Sequence, residues 1–148
     1  MSGCNDRIDI QTCRDQHVAL KYLLDQMDDV GAADESRIVA FLQRLRTVLL
    51  HHLRLEDEHV YPRLRRSKNR TIQATARQFE AQMGNVAQAF TEFYSRWTTS
   101  GAISTHSNDY VRHWRTFARS LRERMSAEDD RLYAMAESEL ENLALDAD

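Results

Sequence analysis

His52-Leu53-Arg54-Leu55-Glu56-Asp57-Glu58-His59-Val60-Tyr61-Pro62 puts polar groups where a helix should bury apolar ones. Ahead of it, Ile38, Leu42, Leu45 and Leu49 recur at spacings of three and four and define one helix face. The same count carries on to His52, Glu56 and His59. An unmet buried hydrogen-bonding group costs about 1–3 kcal/mol, and an unpaired charge costs more. Two imidazoles and a carboxylate on a core stripe therefore need a partner inside the molecule, and a metal ion is the natural one.

Three further stripes flank this one. The first is Ile10, Cys13, His17, Leu20, Leu24 and Met27, stopping near Gly31, a helix terminator. Asp34 or Ser36 is placed to cap the second helix, which ends at or beyond Pro62, a residue that ends or kinks a helix. The basic stretch from Arg63 to Arg70 reads as a solvated turn, with Thr71 as the next N-cap. A third stripe runs Ile72, Phe79, Met83, Val86, Phe90, Phe93, Trp97, and a loop spans Thr98 to Ser107. The fourth is Tyr110, Trp114, Phe117, Leu121, Arg124, Glu128, Leu132, Met135, with a polar tail expected to fray after about Asn142. Four amphipathic helices with short connections imply an all-α fold, an antiparallel up-down-up-down four-helix bundle.

Composition agrees. The 148 residues include only four glycines and one proline, and fit a single domain with its core at about residues 7–140. A net charge of −3 with mixed signs gives no basic footprint for nucleic acid. No apolar run approaches the roughly 20 residues of a membrane span, and the N-terminal stretch has no signal-peptide core. Cys4 and Cys13 form no CxxC pair and are expected as reduced thiols, so the expected location is cytoplasmic.

The chain also repeats. His52…Glu56-Asp57…Tyr61 matches Arg124…Glu128-Asp129…Tyr133 at an offset of 72 residues, and Gln16-His17 matches Gln82-Met83 at an offset of 66. Two helical hairpins related by a pseudo-twofold axis would bring these positions together.

A single helical His17 followed by His52-x-x-x-Glu56 and Tyr61-Pro62 resembles the hemerythrin-like (HHE cation-binding) domain family, over roughly Arg7 to Leu140. The resemblance implies a bundle holding a non-haem di-iron centre on histidines and two carboxylates, in proteins that bind dioxygen or sense oxygen, redox state or iron. Carried across, His17, His52 and Glu56 are the first hairpin's ligands and Glu128 is the second hairpin's carboxylate. The second hairpin departs from the pattern. Met83 and Arg124 stand where the other histidines would be. Methionine is a soft ligand, and arginine carries only donors. Arg124, one turn before Glu128, is expected to offer a forked donor to Glu56 or Glu128 and to stand in for the second metal. The set His17, His52, Glu56 and Glu128 then suits one Fe(II), Zn(II) or Mn(II), with a position open to a small ligand such as dioxygen.

His59 makes a Glu-x-x-His with Glu56, a spacing used in di-iron bundles, and is a candidate extra ligand. His51 falls off the stripe, His106 sits in the loop, and His113 lies about 16 Å along a helix from Arg124. Phe79, Phe90, Phe93, Trp97, Trp114 and Phe117 are expected as an aromatic band near one end of the bundle. Two other readings compete. The buried polar groups form an ion-pair network without metal, in a bundle that regulates a protein partner. Arg124-x-x-x-Glu128-Asp129 and Gln78-Phe79-Glu80-Ala81 are similar to the regulator of sigma D anti-sigma family. Alternatively the centre is a di-iron oxidase or peroxidase. No Ser/His/Asp arrangement, phosphate loop or redox CxxC is present.

Overall fold

Gly31 takes φ +61° and its N–H closes on the Met27 carbonyl at 3.2 Å, ending the first helix, α1 (Ser2–Val30). Only glycine adopts that left-handed backbone without strain. Asp34, rather than Ser36, then caps α2 (Glu35–Leu55), its carboxylate accepting from the Arg37 N–H at 3.1 Å. The computed structural model describes the backbone of residues 2–146 and the side chains of residues 10–139.

From α2 the chain passes without a break through a π-helical segment, Glu56–Val60, into α3 (Tyr61–Arg65). The second rod thus runs three residues into the stretch expected as a turn. Asn69 caps α4 (Arg70–Trp97), accepting from the N–H groups of Thr71 and Ile72. The cap expected at Thr71 is therefore two residues earlier, because the Asn69 side chain satisfies two orphan donors at once. A short α5 (Ala102–Thr105) occupies the expected loop, entered through Gly101 at φ +81°. The last rod is α6 (Ser107–Ala127), a second π segment, Glu128–Leu132, and α7 (Tyr133–Asp146). It stays helical through Asp146 instead of fraying from Asn142.

Cross-rod pairs fix the directions. His17 meets His52 and Asp129, Asp28 meets Trp114, Arg65 meets Glu80, and Trp97 meets His113. Along the first and last rods His17 meets Asp129 while Asp28 meets Trp114, and along the third and last Gln82 meets Arg124 while Trp97 meets His113, so the last rod runs antiparallel to both. The bundle is all-α, and among the described residues no helix is long and apolar enough to cross a membrane.

The apolar core falls into two clusters. Leu20, Leu24, Leu42, Leu45, Leu49, Phe93, Trp97, Tyr110 and Phe117 belong to one, at the end holding the α1–α2 turn. Ile10, Cys13, Val60, Tyr61, Leu64, Ile72, Phe79, Leu132 and Tyr133 belong to the other. Phe79 thus lies apart from the aromatic band that Phe90, Phe93, Trp97, Trp114 and Phe117 form. Each fully buried side chain of this size contributes about 1.5–3 kcal/mol. Between the clusters lies a buried polar layer: His17, His52, Glu56, Arg124 and Glu128. Cys13 is buried, and the side chain of Cys4 lies outside the described residues.

Candidate metal centre

Each of His17, His52, Glu56 and Glu128 offers one ligand atom to the polar layer, and all four atoms lie within 4.8 Å of one another. All four residues are at most 1 % exposed. His17 comes from the middle of α1 and His52 from the last turn of α2. Glu56 and Glu128 each open a π segment, offset by 72 residues as in the repeat. In a π turn the N–H reaches back five residues instead of four, so Tyr61 bonds the Glu56 carbonyl and Tyr133 bonds the Glu128 carbonyl. The wider winding keeps both the carboxylate and the residue five positions on facing inward.

The imidazoles are oriented from outside the centre. His17 Nδ1 lies 2.8 Å from Asp129 Oδ1, and His52 Nδ1 lies 2.7 Å from the Gln16 side-chain oxygen. With Nδ1 protons directed to these acceptors, both Nε2 atoms point inward, 3.0 Å apart. Holding the far nitrogen on an acceptor is how proteins fix the tautomer of a metal-binding histidine. Neither Gln16 nor Asp129 is assigned a role by the helical spacing. Their place beside His17 and Glu128 in the repeat is the signal that could have found them.

Acceptors outnumber donors at the centre. His52 Nε2 pairs with Glu56 Oε1 at 2.7 Å, and His17 Nε2 is 3.3 Å from Glu128 Oε1 without a hydrogen bond between them. The Tyr133 hydroxyl donates to Glu56 Oε1 and lies 3.1 Å from His17 Nε2 and 3.4 Å from His52 Nε2. Glu56 Oε2 and both oxygens of Glu128 are buried with no donor other than a proton shared between the two carboxyls. Burial pushes the Glu128 carboxyl well above the ordinary carboxylate range, and the neighbouring charge of Glu56 pushes it further. Burial opposes ionisation of Glu56 too, but His52 beside it at 2.7 Å and the hydrogen bond donated by Tyr133 outweigh it and hold Glu56 below that range. Burial lowers His17, against the pull of Asp129. Three carboxylate oxygens with only a shared proton and two inward nitrogens are chemistry that a cation satisfies, and the residues fit a metal ion.

The second half-site is filled differently. Arg124 is 7 % exposed, and its guanidinium donates to the Gln82 side chain at 2.7 Å, to the Phe79 carbonyl and, at 3.5 Å, to the Tyr61 hydroxyl. It lies 4.5 Å from the Phe79 ring centroid. The forked donation expected toward Glu56 or Glu128 is not made: the terminal nitrogens are turned to the Phe79 carbonyl, Gln82 and Tyr61, and the buried Nε has no partner. Its charge still favours the ionised form of Glu128. Met83 packs in the apolar core. His59 is on the surface, 45 % exposed and 3.9 Å from Glu58, so the extra ligand expected there is absent from the cluster. The π turn rotates it outward by spacing inward residues wider than three. His51 and His106 are exposed, and His113 accepts from Trp97 far from the centre.

No curated protein and no solved structure matches the chain. The family model for the hemerythrin HHE cation binding domain matches residues 9–136. With the bundle and its buried His/Glu cluster, that match over most of its length makes the chain a member of the hemerythrin HHE cation-binding domain family.

Proposed function

We propose that the protein binds a single metal ion, iron, on His17, His52, Glu56 and Glu128, and works as a sensor or small store of oxygen, redox state or iron. The observation that carries this reading is the trio of buried carboxylate oxygens with no donor but a shared proton, facing two imidazole nitrogens whose far sides are already held. Arg124 does not supply donors to those oxygens: its terminal nitrogens bond Gln82, the Phe79 carbonyl and the Tyr61 hydroxyl, and its buried Nε has no partner. One ion rather than two follows from the second half-site, where a guanidinium and a thioether replace imidazoles. Asp57 tells the same story. It matches Asp129 in the repeat, but Met83 stands where His17's counterpart would be, and Asp57 is exposed.

When bound, iron would supply a Lewis-acidic, redox-active centre. The chain's own residues orient the imidazoles, exclude water and hold the two acidic groups together. Elemental analysis of protein from iron-supplemented cells is expected to give about one metal per chain, and His52→Ala close to none. Wild-type protein that takes up no metal, even when purified and reconstituted without air, overturns the reading. Met83→His combined with Arg124→His is expected to raise the count toward two.

A further inference from the structure

Tyr133 sits inside the donor cluster rather than beside it. Its hydroxyl oxygen is 3.1 and 3.4 Å from the two inward nitrogens, which are themselves 3.0 Å apart, and it touches Glu56 Oε1. Donors sharing one ion with bonds of about 2.1 Å are separated by about 3.0–3.4 Å, so the phenol oxygen already keeps ligand spacing from both nitrogens, while its hydrogen bond draws it closer to Glu56. Tyr133 is fully buried, and the π segment at Glu128–Leu132 keeps it facing the same way as Glu128. Its repeat partner Tyr61 follows Glu56 by the same five residues, but its hydroxyl faces the Arg124 guanidinium instead. One phenol therefore meets acceptors that a metal would organise, and the other meets a fixed cation.

We propose that Tyr133 is a fifth donor of this centre and that its phenol oxygen makes the site one for a hard trivalent ion, ferric iron. This rests on the metal-binding reading above. Two carboxylates and a phenolate are hard oxygen donors carrying three negative charges between them, which balances a trivalent ion and overloads a divalent one. Tyrosine oxygen is an established ferric ligand in haem proteins. On binding, the O–H bond of Tyr133 would be exchanged for an oxygen–iron bond, and two protons would leave to solvent: the one now directed from Tyr133 at Glu56 and the one held on Glu128. With iron supplied as ferric, no electron moves.

The test is to load metal-free protein with ferric iron from its nitrilotriacetate chelate and to record bound iron and the visible spectrum together. Wild type is expected to take about one iron per chain and to show a broad phenolate-to-iron charge-transfer band with tyrosine-ring modes in resonance Raman. Tyr133→Phe, which keeps the buried ring, is expected to lose the band while still holding iron with at least tenfold weaker affinity. Tyr61→Phe is expected to keep it. A band absent from iron-loaded wild type, or unchanged in Tyr133→Phe, overturns the assignment of Tyr133 and leaves the metal site standing. Failure of wild type to take up iron overturns both.

Discussion

At the residue scale, the inward positions of His17, His52, Glu56 and Glu128 were legible because a 3.6-residue period puts them on core stripes whatever their chemistry. Their partners were not. Gln16 and Asp129 act from the edges of the stripes, and nothing in a hydrophobic period marks an edge residue as the acceptor for a buried imidazole. Arg124 illustrates the reverse error. Its closeness in sequence to Glu128 suggested a pairing, but its terminal nitrogens turn to a carbonyl and an amide from α4. His113 was legible only as distant from the centre, and its role is structural: its Nδ1 accepts from the Trp97 indole N–H at 2.9 Å. Burial lowers its pKa, the charge of Arg96 lowers it further, and Glu92 opposes. A histidine depressed in the folded state contributes stability that is complete above its unfolded value of about 6.5 and is lost as pH falls through the folded value. The melting temperature of metal-free protein should therefore fall as the pH drops below about 6.5, because a proton on Nδ1 displaces the indole. His113→Gln keeps an acceptor without the titration, and its melting temperature should fall less over the same range. An identical pH slope in the variant would refute this role.

At the element scale, the four stripes located the rods, but no period reveals a π turn. Pro62 looked like the end of a helix because an interior proline costs about 3 kcal/mol, through a lost N–H bond and a ring clash. The chain instead carries it at the start of α3, directly after a π segment whose widened turn moves the carbonyl it would strike. Yet proline is not what makes the bulge. The matching segment at Glu128–Leu132 is also π, and Ala134 stands where Pro62's counterpart would be. What the two segments share is an inward carboxylate followed five residues later by a buried tyrosine. The bulge lets both face the centre, a use of π turns common at functional sites. Pro62→Ala is accordingly expected to change stability by no more than about 1 kcal/mol, the scale of helix propensity, and to leave metal uptake unaltered. Loss of metal from Pro62→Ala would mean that the proline, and not the site, sets the turn.

At the scale of the whole molecule, the polar layer divides the core in two, so its stability depends on how that layer is satisfied. The donors come from three of the four rods: His17 from the first, His52 and Glu56 from the second, and Glu128 with Tyr133 from the last. The rod α4 contributes none of these donors; it packs Met83 in the apolar core and holds Arg124 through Phe79 and Gln82. A bound ion would thus staple three rods and leave the fourth attached by apolar packing and the arginine. An ion that binds the folded chain alone stabilises it by about 2.7 kcal/mol at a free concentration one hundred times its dissociation constant. For a chain of this length that raises the melting temperature by about 5–10 °C. Chelation should reverse the rise, and His52→Ala should show none. Hydrogen exchange should separate this linkage from general tightening. On metal binding, amides of α1, the α2–α3 rod and the α6–α7 rod should gain protection, and those of α4 should gain least. Uniform protection of all four rods, or a metal-induced rise that survives in His52→Ala, would show that the ion binds elsewhere on the molecule.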